Sequence, residues 1–201
     1  MIGILNYGCG NLGSIENMLD YLGIKNTIIS DPDDLKKADK LILPGVGSFE
    51  FGITSLKATN FLDPLNYAVL NDKIPILGIC LGMQLMTKRS EEGNVDGLGW
   101  VDAVTLKFED RSDFNVPHMG WNYVHDYENS KLFEGIASKP KFYFVHSYFV
   151  KCNDNSAILC KTNNYEDFVS GIHEGNIYGV QFHPEKSHKF GMKIFENFDK
   201  I

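Results

Sequence analysis

The sequence predicts an α/β fold in one domain, residues 1–201, with a mostly parallel central sheet flanked by helices and extended by antiparallel strands. Three observations predict it. Short apolar runs alternate with helical patterns as far as Met86, as parallel strands joined by crossover helices require. From Val101 onward, strand-like segments follow one another with few helical patterns between them, which suits hairpins added to the same sheet. A chain of 201 residues also has the size of one domain, with little room for a second.

Taken in order, Ile2 to Leu5 is a short apolar strand followed by a glycine turn at Gly8 to Gly10. Leu12, Ile15, Leu19 and Leu22 then fall at helical spacing, and Gly23 ends the helix. Thr27 to Ile29 reads as the second strand. Asp31 and Pro32 suit an N-cap and a first helical position, so a short helix is expected to Ala38. Leu41 to Leu43 is the third strand, stopped by Pro44-Gly45. A helix is expected over Phe61 to Leu70, a fourth strand over Ile76 to Ile79, and a helix from Met83 to Met86. The later strands are expected around Val101 to Phe108, Asn122 to Val124, Phe142 to Val145, Ala157 to Cys160, Phe168 to Ile172 and Ile177 to Gln181. A helix over Lys189 to Phe198 closes the chain. Glu109 to Asn115 and Asn153 to Asn155 read as polar loops.

Composition bounds the function. Nineteen basic and 26 acidic residues leave a net charge of −7, which argues against a nucleic-acid surface, since that needs a clustered basic face. The N-terminus has no basic segment before its short apolar run, so no signal peptide is read. The most apolar later stretch, Ile74 to Met86, contains Pro75 and is too short to span a bilayer. The four cysteines, Cys9, Cys80, Cys152 and Cys160, form no C-x-x-C pair. The expectation is an acidic, soluble, cytoplasmic protein with reduced thiols, Cys152 and Cys160 lying in the core on adjacent strands.

Gly78-Ile79-Cys80-Leu81-Gly82 joins a strand to a helix, which is the nucleophile-elbow pattern with cysteine in the serine position. Small flanking residues permit the tight turn, and the helix N-terminus beside Cys80 favours a thiolate. A buried structural cysteine between two strand-end glycines would read the same. Gln181-Phe182-His183-Pro184-Glu185 follows another strand. His183 with a carboxylate two positions on fits a base oriented by a third group; a surface turn carrying a histidine is the alternative. Pro44-Gly45-Val46-Gly47 follows the third strand, where backbone N–H groups can line an oxyanion hole. Gly8-x-Gly10-x-x-Gly13, with Asp31 after the next strand, matches a dinucleotide fingerprint. The polar Asn6-Tyr7 pair speaks against it, and a tight turn leaving Asn11 at the crevice rim competes. The six histidines show no zinc spacing, so no metal is expected.

With these pieces in place the sequence resembles the class I, triad-type glutamine amidotransferases, most closely their histidine-biosynthesis branch. The elbow and the His-Pro-Glu segment belong to the whole class. The branch is singled out by Pro117-His118-Met119-Gly120-Trp121-Asn122 and by the N-terminal glycine turn Asn6-Tyr7-Gly8-x-Gly10-Asn11, while Pro44 to Phe49, Ser90 to Gly93, Val116 and Phe144 to Tyr148 match the family as well. The resemblance spans the chain and implies the single-domain amidotransferase fold. It also removes the dinucleotide reading, because the family carries that glycine turn without a nucleotide. Cys9 and Ser48 depart from the family's usual pattern.

The resemblance further implies a glutaminase with Cys80 as nucleophile, His183 as general base and acid, and Glu185 as its orienting partner. The oxyanion hole would come from the N–H of Leu81 and of Gly45 or Val46. Gln84, Glu92, Ser147 and Tyr148 match positions that hold L-glutamine. Asn11, Tyr143 and Lys186 match positions facing a partner, a (β/α)8-barrel cyclase subunit. That partner uses the ammonia to form imidazole glycerol phosphate and AICAR, and no cofactor is implied. Two other readings share these residues: a paralogue feeding ammonia to a sugar-modifying synthetase for surface polysaccharide, and a hydrolase of γ-glutamyl or ester substrates. A catalytically silent partner-binding module is the reading of another class, against which the intact triad argues.

Overall fold

The computed structural model describes residues 1–109, 116–127, 130–136 and 138–201. Four parallel strands open the chain: β1 (Ile2–Leu5), β2 (Asn26–Ile29), β3 (Lys40–Leu43) and β4 (Ile76–Ile79). Two short strands, β5 (Arg89–Ser90) and β6 (Val95–Asp96), precede β7 (Ala103–Lys107), β8 (His118–His125), β9 (Lys141–His146) and β10 (Tyr148–Cys152). The last three are β11 (Ile158–Asn164), β12 (Glu166–Glu174) and β13 (Ile177–Val180). The helices are α1 (Leu12–Tyr21), α2 (Phe49–Ala58), α3 (Leu62–Leu70), α4 (Leu81–Leu85) and α5 (His188–Lys200).

The main path of the sheet runs β2-β1-β3-β4-β13-β12-β10-β7-β5-β6. Its first five strands are mutually parallel, and β12 begins the antiparallel part. A branch leaves β12 through β11 to β8 and β9. Both faces of the parallel part are buried, because consecutive strand side chains point to opposite sides. Leu41 and Leu43 join Phe49, Leu56, Leu65 and Leu81 of α2, α3 and α4 in one apolar cluster. Ile42 joins Ile15 and Leu19 of α1 and Ile194 and Phe198 of α5 in the other. Each such fully buried side chain contributes roughly 1.5–3 kcal/mol.

Several expectations change in detail. The Asp31 cap is present, with its carboxylate accepting from the Asp33 N–H at 3.0 Å, but the segment Pro32–Lys37 is a 3-10 helix. Helix α2 was not expected. Its buried side has the helical spacing Phe49, Gly52, Ile53, Leu56, but a glycine there carries no apolar signal. Ser48 caps this helix by accepting from the Phe51 N–H at 3.3 Å. Strand β10 was missed too, because Ser147 interrupts the two strands only briefly. Cys152 and Cys160 lie on β10 and β11, which both pair with β12 and not with each other. Of the polar loop expected over 109–115, only Glu109 lies among the described residues.

Candidate active site

Parallel pairing of β1, β3, β4 and β13 puts four segments side by side at the carboxyl ends of the strands: Tyr7, Pro44-Gly45, Cys80 and His183. This edge is where open α/β sheets place their ligands. Val180 of β13 stands beside Ile79 of β4, so the residues following both strands emerge together.

Cys80 holds φ +54° and ψ −109° between β4 and α4, a backbone region that costs a non-glycine residue about 1–3 kcal/mol. The turn is tight enough to exclude side chains around it. A Cβ on Gly82 would fall onto the Leu43 carbonyl, and one on Gly45 would stand 2.7 Å from the Gly82 nitrogen. The Pro44-Gly45 turn therefore lies directly against the elbow. It is held from behind by Tyr7, whose buried hydroxyl donates to the Pro44 carbonyl at 2.6 Å.

His183 Nδ1 and Glu185 Oε1 are 2.7 Å apart, and both side chains are almost fully buried. Burial by itself lowers the His183 pKa, but hydrogen bonding to Cys80 and Glu185 outweighs it and holds the ring at about 10. Its Nε2 is buried with no hydrogen bond of ordinary geometry, as is Glu185 Oε2. The Cys80 sulfur, in turn, accepts from Gln181 Nε2 at 3.6 Å.

A cavity of about 360 Å³ opens over Cys80 and His183, lined among others by Val46, Leu81, Gln84, Glu92, Ser147 and Tyr148. Eight residues expected at the chemistry or the substrate thus line one pocket, Gly45 packs against Leu81 and Gly82, and Glu185 joins through His183. Gln84 is buried and donates through Nε2 to the Tyr148 carbonyl at 3.0 Å and to Gln181 Oε1 at 2.9 Å. Glu92 accepts from the Phe49 N–H at 2.8 Å, placing its charge at the positive end of α2. Asn11, Tyr143 and Lys186 lie outside the pocket. Lys186 sits 5.6 Å from the Tyr143 ring centroid, and α1, capped by Asn11, packs on the Pro184–Lys186 turn. Cys9 is turned inward, and burial raises its thiol pKa.

Sequence reasoning gave no role to His118, His146 or Gln181. His118 Nδ1 and His146 Nε2 are 2.9 Å apart, and burial lowers their pKa values to about 4 and about 3. Strict alternation along β8 was the available signal: His118 and Val124 are buried while Met119, Trp121 and Tyr123 are exposed. Asp31, the acid of the apparent dinucleotide pattern, serves as the cap described above. Among the described residues, no three His, Cys, Asp or Glu side chains gather to hold a metal ion.

Residues 4–201 match the family model for glutamine amidotransferase class-I. The chain belongs to this family. Among curated relatives of this amidotransferase, imidazole glycerol phosphate synthase subunit HisH 2 of Methanococcus maripaludis is 53% identical over 200 residues, covering 100% of this chain and 99% of that protein. Subunit HisH 2 of Pseudomonas aeruginosa is 44% identical over 201 residues, with complete coverage of both. Among solved structures, a crystal structure of a glutamine amidotransferase superposes with a TM-score of 0.77 at 16% identity, over 98% of this chain and 96% of that one. The glutaminase domain of Trypanosoma brucei CTPS, with bound acivicin, gives 0.66 at 17% identity over 99% and 93%. At such identities the structures show the shared fold alone.

Proposed function

We propose that this chain, as one domain over residues 1–201, is the cytoplasmic glutaminase subunit of an imidazole glycerol phosphate synthase. It hydrolyses L-glutamine and hands ammonia to a (β/α)8-barrel cyclase subunit. The observation that carries the reading is Cys80 on a strained elbow, sharing one pocket with a buried His183–Glu185 pair. The full-length likeness to HisH subunits supplies the pathway.

In this reading Cys80 attacks the glutamine carboxamide as a thiolate, with His183 held as the imidazolium beside it. Negative charge develops on the carboxamide oxygen, and the N–H groups of Leu81 and of Gly45 or Val46 receive it. One such donor is typically worth about 3 kcal/mol of barrier. His183 gives its proton to the departing ammonia and then takes one from the water that opens the glutamyl thioester. Glu185 keeps the ring oriented through Nδ1. Gln84, Glu92, Ser147 and Tyr148 form the glutamine cradle.

Docking is read onto the outer face of β8 and β9. Met119, Trp121 and Tyr123 are 64%, 41% and 52% exposed, an aromatic row of the kind enriched in interface cores. Trp121 stacks on His188, and Lys186 lies over Tyr143 beside it.

The oxyanion turn ends in Gly47, at φ +104°, so its peptides have more freedom than those of a side-chain-bearing segment. A resting orientation that withholds one donor would keep the lone chain slow by roughly a hundred- to a thousandfold. Steady-state glutamate production by the purified chain, with and without the cyclase and its ligand, tests this. The complex is expected to be much faster; equal rates would refute the gating, and no glutamine turnover in either would refute the glutaminase reading.

A further inference from the structure

Two buried histidines that the chemistry above does not use are wired to the Cys80 sulfur. The Tyr148 carbonyl can only accept, and it has two donors: His146 Nδ1 at 2.7 Å and Gln84 Nε2 at 3.0 Å. That requirement propagates in both directions. On one side His146 carries its proton on Nδ1, so its Nε2 must accept from His118 Nδ1 at 2.9 Å. His118 Nε2 then accepts from Asn122 Nδ2 at 3.2 Å. The Asn122 amide has no freedom to turn, since its Nδ2 also donates to the Asn163 carbonyl and its Oδ1 accepts from the Tyr123 N–H. On the other side, the second N–H of Gln84 meets Gln181 Oε1 at 2.9 Å. Gln181 is therefore obliged to present its nitrogen to Cys80 Sγ.

We propose that Gln181, His146 and His118 are positioning residues for the nucleophile: the relay keeps the N–H of the Gln181 amide, and never its oxygen, against the Cys80 sulfur, whose other polar neighbour is the Val145 carbonyl at 3.9 Å. The alternative amide orientation would replace that donor by a second oxygen lone pair, beside the one of Val145, against a developing thiolate, which is repulsive. The order of donation needs both rings neutral, and their burial keeps them so. His118 and His146 face each other across the β8–β9 pair, so the relay ties the pocket wall at Ser147-Tyr148 to the strand whose outer face is read above as the docking surface.

The inference rests on reading Cys80 as the nucleophile, and its test does not need glutamine. The pH dependence of Cys80 alkylation by iodoacetamide, followed by site-resolved mass spectrometry on the full chain, reports the thiolate. The other titratable groups bearing on this sulfur, His183 with Glu185 behind it and Tyr7, stay in place in every variant. Gln181→Met is expected to move the profile to higher pH and slow alkylation at pH 7 by about tenfold, the worth of one hydrogen bond to a charged group. His146→Leu should shift the profile the same way by less. His146→Asn, whose amide nitrogen stands where Nδ1 stood, should restore it. An unmoved profile in folded Gln181→Met, or Asn behaving like Leu at position 146, would overturn the proposal. If these variants fail to fold, ¹⁵N spectra of the wild-type imidazoles decide instead. Both rings are expected neutral and protonated on Nδ1 at pH 6, and a proton on Nε2 of either would overturn the relay. Loss of the alkylation effect with normal glutamine turnover refutes the relay alone, whereas a wild-type complex without turnover refutes the parent reading.

Discussion

At the scale of single residues, the site works through unequal partners. In the proposed mechanism Cys80 forms the covalent bond, so Cys80→Ala is expected to abolish glutamate release while leaving fold and partner binding intact. Substantial residual turnover would assign the nucleophile elsewhere. His183 is proposed to move protons in both half-reactions, so its replacement by alanine should cost nearly as much. In the same proposal Glu185 only orients and charges the ring, so Glu185→Ala is expected to be milder than the Cys80 variant by about tenfold to a hundredfold, as in comparable triads. The pH dependence has a definite sign. Burial lowers the His183 pKa, and Cys80 and Glu185 more than reverse this to reach about 10. Glu185→Gln removes one of the raising groups, so the alkaline limb of the kcat/KM profile should move to lower pH. A limb that stays in place would separate Glu185 from the protonation of His183.

Among the elements, what matters is how closely backbone approaches backbone. The elbow, the Pro44-Gly45 turn and the end of β3 touch without intervening side chains. Gly82→Ala would push a methyl group into the Leu43 carbonyl, and it is expected to cost about 3 kcal/mol or more of stability in urea denaturation. A tolerated alanine would mean that the elbow can open. Tyr7→Phe is the subtler probe. It removes only the hydroxyl that holds the Pro44 carbonyl, at an expected cost of about 1–3 kcal/mol for a buried unpaired group. Because that carbonyl begins the turn proposed to supply the oxyanion donors, kcat should fall more than the KM for glutamine rises. The reverse pattern would place Tyr7 in substrate binding.

For the whole molecule, titration of the buried histidines couples the site to stability. His118 and His146 have folded pKa values of about 4 and about 3 against an ordinary 6.5. Below pH 6.5 the unfolded chain takes up protons that these rings refuse, so stability falls as pH drops toward 4, by on the order of 1 kcal/mol per pH unit for each ring. His183 acts with the opposite sign. Its contribution is complete below pH 6.5 and is lost as pH rises toward 10. Urea midpoints are therefore expected to be highest near pH 6.5 and clearly lower at pH 5. A midpoint unchanged between pH 7 and pH 5 would show that the pair takes up protons in the folded state.

The segments that meet at the candidate site were legible in the sequence because their determinants are local. A cysteine between glycines at a strand–helix junction, a His-Pro-Glu after a strand and a Pro-Gly-Val-Gly turn each constrain their own few residues by sterics. The alternation of strands and helices likewise follows from hydrophobic spacing within each segment. Helix α2 escaped because Gly52 occupies its buried stripe for reasons supplied by α4: a Cβ there would stand 3.1 Å from Leu85 Cδ1. The order of strands, and with it the meeting of Cys80 with His183, was settled by pairings between segments about a hundred residues apart. So was the link from Tyr148 through Gln84 and Gln181 to the sulfur. No spacing rule carries such contacts. They exist because burial leaves each amide and imidazole only one arrangement in which every donor meets an acceptor, and that condition is imposed by the packed molecule and not by any segment of its sequence.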